Sequence, residues 1–306
     1  MAGRRTWRAS ASLWGAVALL TVTAIGAGTL VAAAYQHAAP LANSGEPAPV
    51  PSFDLGVQTP TPTPTPEPSA AAIPRESERF LTVGTGAGSN VWWRGVAGAC
   101  DGAPPVVERS TDAGATWTDV TPLYKGASQL AALDSLDQTE AEIIGGVGPT
   151  CEPQALRTFT QGQFWDSYPD VLAASRFVAL TDPAIVQQPA GPVAAPCAEA
   201  QGLRTQGDLV ALVCDATAYV SRAAGEWVAL PAPDAAAVAI DGDAVLVAHT
   251  SGECNGLSLT RYAAADPAQP EPPRCSEGAD PSQPTAIAPT DAGTLIWSGE
   301  SPPVIE

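Results

Sequence analysis

Few residues in this chain have types and spacings that could carry chemistry, and each admits a plainer reading. His249 is one of only two histidines. It lies in a run of alternating apolar residues, so it reads as a half-buried strand residue rather than a general base. No serine sits in a Gly-x-Ser-x-Gly elbow, and no second histidine is placed to complete a triad. Asp241-Gly242-Asp243 offers two carboxylates to a cation, yet Asp-Gly between two β-prone runs is first a hairpin turn. Gly84-Thr85-Gly86-Ala87-Gly88 resembles a phosphate-binding loop but lacks the following helix and lysine. Trp92 and Trp93 point to opposite faces of one strand, which leaves one of them free to stack on a sugar unless both are packed. Neither Cys-x-x-Cys nor clustered histidines are present to ligate a metal. The expectation is therefore no catalytic residue, no cofactor and no metal site.

The charge balance restricts partners further. Lys+Arg number 14 against 32 Asp+Glu, for a net charge of −18 and a pI near 4.3. With a single lysine, Lys125, the chain lacks the cationic surface that dominates affinity for phosphates, which excludes nucleic acid. Only 15% of residues are charged while Pro reaches 31 and Gly 28, a composition that favours short segments divided by turns over a helix-rich fold.

The elements that must position any site fall into three parts. Residues 1–35 read as a cytoplasmic tip and a transmembrane signal anchor. Arg4, Arg5 and Arg8 precede the uncharged run Leu13–Tyr35, long enough for a bilayer core of about 20 residues. The flanking arginines keep that end in the cytoplasm and place the rest outside the cell membrane. A cleaved signal peptide ending at Ala32-Ala33-Ala34 is the alternative, with a shorter apolar region of about 7–15 residues. Residues 36–75 form a Pro/Thr-rich disordered linker, with Thr59-Pro60 repeating to Pro66. Alternate prolines forbid helix and ladder pairing and favour an extended polyproline spacer, whose threonines also suit O-linked sugars.

Residues 76–306 form the exported domain, and here a β-branched or aromatic run, a turn, another run and a tryptophan-closed turn recur. The clearest copy is Ser110-Thr111-Asp112-Ala113-Gly114-Ala115-Thr116-Trp117. Weaker copies run from Thr158 through Gly162 to Trp165 and from Ser221 through Gly225 to Trp227. The tryptophans recur near the period of a four-stranded propeller blade, about 40–50 residues, with an insertion before the third. In such a turn Gly114 supplies a left-handed backbone, Ser110 and Asp112 bind turn N–H groups, and the tryptophan packs between blades. About five repeats can be counted, near 79–122, 128–170, 190–231, 235–275 and a truncated 283–306. The fold expected is all-β, a propeller-like array of about five short blades.

Six cysteines in an exported chain are expected to be oxidised, and six allow 15 pairings that sequence alone does not resolve. Cys100 and Cys151 hold matching places in neighbouring repeats, Cys197 and Cys214 flank a strand pair, and Cys254 and Cys275 bracket the fourth repeat. The expected bridges are Cys100–Cys151, Cys197–Cys214 and Cys254–Cys275, as structural staples.

With those residues in view, the chain from about Glu76 onward resembles an Asp-box (BNR) β-propeller of the sialidase and sortilin type. Carried behind a signal anchor, it is similar in layout to Ala/Pro-rich actinobacterial surface proteins. The sialidase resemblance implies an arginine triad, a tyrosine nucleophile paired with glutamate, an aspartate acid/base and an Arg-Ile-Pro segment. None of the arginines from Arg75 to Arg274 sits in Arg-Ile-Pro, and Ile73-Pro74-Arg75 has the wrong order within the linker. Sialidases also use six blades, and they place the box turn on the outer rim, away from the central site. No catalytic role is transferred. The function expected is a non-catalytic, membrane-tethered binding or scaffold domain with a protein or glycan partner at the cell surface. The competing expectation is a diverged glycan-active hydrolase. Arginines facing an acid pair in the central funnel would mark the enzyme, and a funnel lined by Ala, Val and Thr the binding module.

Overall fold

A computed structural model describes residues 73–86, 89–222 and 225–306. The apolar run Leu13–Tyr35 and all but the last residues of the linker lie outside the described residues. Among the described residues no helix is long and apolar enough to cross a membrane.

The strands form six antiparallel sheets in chain order. Blade 1 is β1 (Arg79–Val83), β2 (Trp92–Val96), β3 (Val106–Ser110) and β4 (Thr118–Asp119). Blade 2 is β5 (Ala127–Ser135), β6 (Ala141–Val147), β7 (Glu152–Thr158) and β8 (Asp166–Ser167). A short helix, α1 (Pro169–Ala174), leads to blade 3: β9 (Phe177–Val178), β10 (Ile185–Gln187) and β11 (Val193–Ala194). Blade 4 is β12 (Ala200–Gln206), β13 (Leu209–Cys214), β14 (Thr217–Arg222) and β15 (Val228–Ala229). Blade 5 is β16 (Ala235–Asp241), β17 (Ala244–Ser251), β18 (Cys254–Ala263) and β19 (Arg274–Ser276). Blade 6 is β20 (Thr285–Thr290), β21 (Gly293–Ser298) and β22 (Val304–Ile305).

The blade count corrects the expected five to six. The added blade, at 177–194, falls between the second and third repeats, and the expected repeat 190–231 absorbed its last strand. Its strands are two or three residues long and separated by Pro183, Pro189 and Pro192, so no run long enough to register as a strand survives. Among the described residues no strand is exchanged between first and last blades. The ring closes by packing β1 against β20, with Leu81, Trp92, Ala286, Leu295 and Trp297 buried at the seam.

Blade packing explains why the inner strands read as continuous apolar runs. Every residue of β13, Leu-Val-Ala-Leu-Val-Cys, is buried, because both sheet faces are covered by neighbouring blades. The same reason buries both Trp92 and Trp93, so neither is available to a sugar. All three expected disulfides are present, with Cα–Cα distances of 5.5–5.6 Å. Cys100–Cys151 ties blade 1 to blade 2, Cys197–Cys214 ties the link after blade 3 to blade 4, and Cys254–Cys275 lies within blade 5.

Blade 3 departs from its neighbours in direction. The β9–β10 loop gives the Pro183 carbonyl to the Ala200 N–H at the start of β12, and Arg176, just before β9, donates through Nη1 to Gly207 O in the β12–β13 turn. So β9 runs opposite to the first strands of the other blades, and blade 3 has no equivalent of that innermost strand. As a result β5 and β12 come into direct contact.

Candidate functional site

The first box turn links β3 to β4. Ser110 Oγ accepts from the Gly114 N–H at 2.8 Å and donates to Asp112 Oδ1 at 2.7 Å. Asp112 accepts from the Thr116 N–H at 2.8 Å and from its hydroxyl at 2.6 Å. These donors hold the Asp112 carboxyl down to about 2, the Thr116 hydroxyl foremost. Gly114 has φ +83°, and a Cβ there would lie 2.5 Å from the Trp92 ring. The second turn repeats this geometry with hydroxyls. Thr158 Oγ1 accepts from the Gly162 N–H at 3.0 Å, and Thr160, in the place of the aspartate, accepts from the Phe164 N–H at 2.9 Å. In the third, Ser221 donates to Gly225 O.

Each box tryptophan seals the seam with the preceding blade. Trp165 Nε1 donates to Val120 O of blade 1, and its ring meets Trp93 edge-on at 6.3 Å. Trp227 Nε1 donates to Ala194 O of blade 3. Trp117 is only partly buried. It lies beside Trp297 of blade 6, with the Arg94 guanidinium 4.2 Å from its ring centroid and 4.9 Å from that of Trp297. These side chains shape and seal the ring, and the space that Ser221, Gly225 and Trp227 border has a volume of only about 10 Å³.

The other candidates are structural too. His249 is buried, with Nδ1 paired to Thr250 O and Nε2 to Thr260 Oγ1, each at 2.8 Å. Asp241-Gly242-Asp243 is the β16–β17 turn, and its carboxylates face Arg261. Among the described residues no group of three or more His, Cys, Asp or Glu could hold a metal.

What sequence reading missed is the central channel. The end at which β1 begins, the near end, is crossed by Ile73–Glu78, so the linker stops short of residue 75. Arg75 lies in a 3₁₀ turn and donates through Nη1 to Ala179 O at 2.9 Å and through Nη2 to Val178 O at 3.2 Å. Glu78 accepts from the Gly202 N–H at 2.9 Å. From β12, Arg204 reaches across to Arg79 O at 3.1 Å and lies 5.1 Å from the Phe80 ring centroid. Burial pushes the Glu78 carboxyl up, against the pull of Arg204 and Arg75. Only about 20 Å³ of free volume remains there.

The far end is open. In the gap left by the missing strand of blade 3, between β5 and β12 and behind α1, lies a cavity of about 420 Å³. Its polar wall is one row across blade 2, in which Asp134 faces Glu142 in the β5–β6 ladder and Glu142 faces Arg157 in the β6–β7 ladder. Arg157 Nε donates to Glu142 Oε2 at 3.0 Å, joined by a second bond from Nη2. Asp170, Arg176 and Thr205 line the opposite side. Although the residue is exposed at the open end, the crowding of its carboxyl by the channel wall pushes that carboxyl up to about 6, with Arg204 opposing the shift and Glu142 adding to it. Arginines and acids do meet in the funnel, but at the near end their donors go to backbone carbonyls and no room is left for substrate.

The sheets and this filled channel make the chain a six-bladed β-propeller. No protein-family model matches it, and no curated protein does. Among solved structures it is similar to YCF48 bound to a D1 peptide, at 15% identity over 74% of this chain and 76% of that one, with a TM-score of 0.41. YCF48 from Cyanidioschyzon merolae is 16% identical over 74% of this chain and 65% of that one, TM-score 0.29. A mutant of the GH43 protein BlXynB from Bacillus licheniformis is 11% identical over 73% and 49%, TM-score 0.36.

Proposed function

We propose that this chain is a non-catalytic binding or scaffold domain of the Asp-box type, held outside a cell membrane by Leu13–Tyr35 and presenting its far face to a protein or glycan partner. The observation that carries this reading is the blocked near end of the channel: Arg75, Glu78 and Arg204 fill it and leave about 20 Å³ there, far below the roughly 300–1,000 Å³ of ligand pockets, so only the far end is open to a partner. Ile73, the first described residue, lies at that same end, which leaves the far face clear of the crossing segment. Glycan hydrolysis is the second reading, favoured by the cross-strand pair Asp134 and Glu142, of which one carboxyl is raised and the other is paired with arginine.

A panel of chromogenic glycosides, sialosides included, separates the two when offered to the full-length chain. The binding reading expects no turnover. Turnover that disappears in Asp134→Asn and in Glu142→Gln overturns it. Protease treatment of intact cells should digest 73–306 while the full-length protein fractionates with membranes, and recovery in the soluble fraction overturns the tether.

A further inference from the structure

We propose that the small cavity left at the near end of the channel is a built site for one water molecule, which accepts a hydrogen bond from Arg79 Nε and donates one to the Glu78 carboxyl. The proposal is independent of the binding reading above and concerns how the crossing segment is fastened to the ring.

Volume limits the occupant first. About 20 Å³ is free. A buried water needs about 10–15 Å³, whereas a drug-sized ligand needs hundreds. The space takes a single small species.

The polar lining then selects its chemistry. Arg79 supplies an unmet donor: its side chain is only 9% exposed, it lines the cavity, and its Nε is buried with no hydrogen-bond partner. Elsewhere that guanidinium is occupied. Nη2 donates to Glu300 Oε1 at 3.3 Å, and the group lies 4.1 Å from the Trp297 ring centroid. A buried donor left this way is costly and calls for an acceptor. On another side of the same cavity Glu78 accepts the Gly202 N–H at 2.9 Å, and a carboxylate has lone pairs for further donors. Burial pushes this carboxyl up, against the pull of Arg204 and Arg75, and a donating ligand would relieve that cost.

The occupant must therefore accept from one wall and donate to another. A halide only accepts, and an ammonium ion only donates. Water does both, and Gln201 and Thr285 on the same lining offer it further partners. Glu78 belongs to the crossing segment, Arg79 to β1, Gln201 to β12 and Thr285 to β20. One water thus joins that segment to blades 1, 4 and 6. Ile73 of the segment also lines the space, so the water exchanges with bulk solvent when the segment lifts.

The test counts long-lived waters in the full-length chain, in detergent micelles, by oxygen-17 magnetic relaxation dispersion. Two substitutions both remove the guanidinium and its contact with Glu300 but differ where Nε stood: Arg79→Met puts a methyl group there, and Arg79→Gln an amide nitrogen. The dispersion amplitude should fall by about one water in Arg79→Met and match wild type in Arg79→Gln. Equal amplitudes in the two variants overturn the proposal. A second measurement needs no variant. Thermal midpoints of the wild-type chain in sodium chloride and in sodium gluconate, at equal ionic strength, should coincide. A midpoint raised by chloride alone would put a halide in the site and overturns the proposal as well.

Discussion

At the near end of the channel, Arg75, Glu78 and Arg204 are oriented by backbone groups of three different blades. At the far end, Asp134 and Asp170 are exposed to solvent and accept no side-chain hydrogen bond from any described residue. The same residue types serve opposite ends because blade 3 lacks its innermost strand. Where inner strands surround a charge on all sides, carbonyls and N–H groups are near enough to satisfy it. Where one strand is missing, the ladder that would have supplied those partners is missing too. Charges enclosed by backbone groups help hold the ring together; exposed ones are left to solvent.

The sharpest way to break this comparison is Arg204→Ala. It removes the stronger of the two arginines that attract the Glu78 carboxylate, together with the bond to Arg79 O, and should cost about 3–5 kcal/mol in chemical denaturation. Adding Glu78→Gln should restore part of that loss, and a wild-type midpoint in Arg204→Ala would mean the near end is not held by charge. Next in size is the Cys100→Ser/Cys151→Ser double variant, which frees the near-end loops of blades 1 and 2 and should cost about 2–4 kcal/mol. Thiol titration of the denatured, unreduced wild-type protein should find almost no free thiol. The smallest effect falls at the far end and has the opposite sign. A carboxyl raised to about 6 in the fold, against 3.8 ordinarily, binds its proton more tightly when folded. Its stabilising contribution is complete below about 3.8 and lost as pH rises through about 6. Asp134→Asn should therefore melt slightly higher than wild type at pH 7.5, with the gap closing by pH 4.5. Glu142, Arg157, Asp170, Arg176 and Arg204 surround the carboxyl in both proteins, so the difference isolates Asp134. A variant that melts lower at pH 7.5 would show that Asp134 is already satisfied.

Asp112 provides a further contrast, since its carboxyl is held down to about 2. Asp112→Ala should lower the melting temperature at pH 7, and lowering the pH toward 2 should erase the difference. Thermal melts at the two pH values check this, and an equal difference at both would separate the carboxylate from the turn.

The box turns were legible in sequence because their chemistry is local. Serine, aspartate, glycine and tryptophan lie within eight residues, and hydrogen bonds link them in sequence, Ser110 to Asp112, Gly114 to Ser110 and Trp117 to Gly114. Even the second copy keeps the geometry with Thr158 and Thr160, at the cost of the pattern's most recognisable residue. The Cys100–Cys151 bridge was legible because equivalent loops of adjacent repeats lie next to each other, and the other two because their cysteines flank neighbouring strands. Asp134, Glu142 and Arg157 were not legible. Each occupies the penultimate or second position of a different strand, and only the ladder register aligns them. Arg75 was misplaced because Pro74 and the proline run before it read as spacer, and nothing local reveals that its donors end on blade 3. Trp117 shows the limit of reading role from type. It seals a seam as expected but stays half-exposed under Arg94, while Trp165 in the weaker box is the one fully enclosed.

The crossing segment at the near end also defines a load path. Force applied to the chain ahead of Ile73 does not fall on β1 alone. Through Arg75 it reaches the carbonyls of blade 3, through Glu78 the backbone of blade 4, and through the Ala97 and Gly98 N–H groups the second strand of blade 1. A pull from one end is thus divided among blades on different sides of the ring, and the first strand peels only after those cross-members have given way.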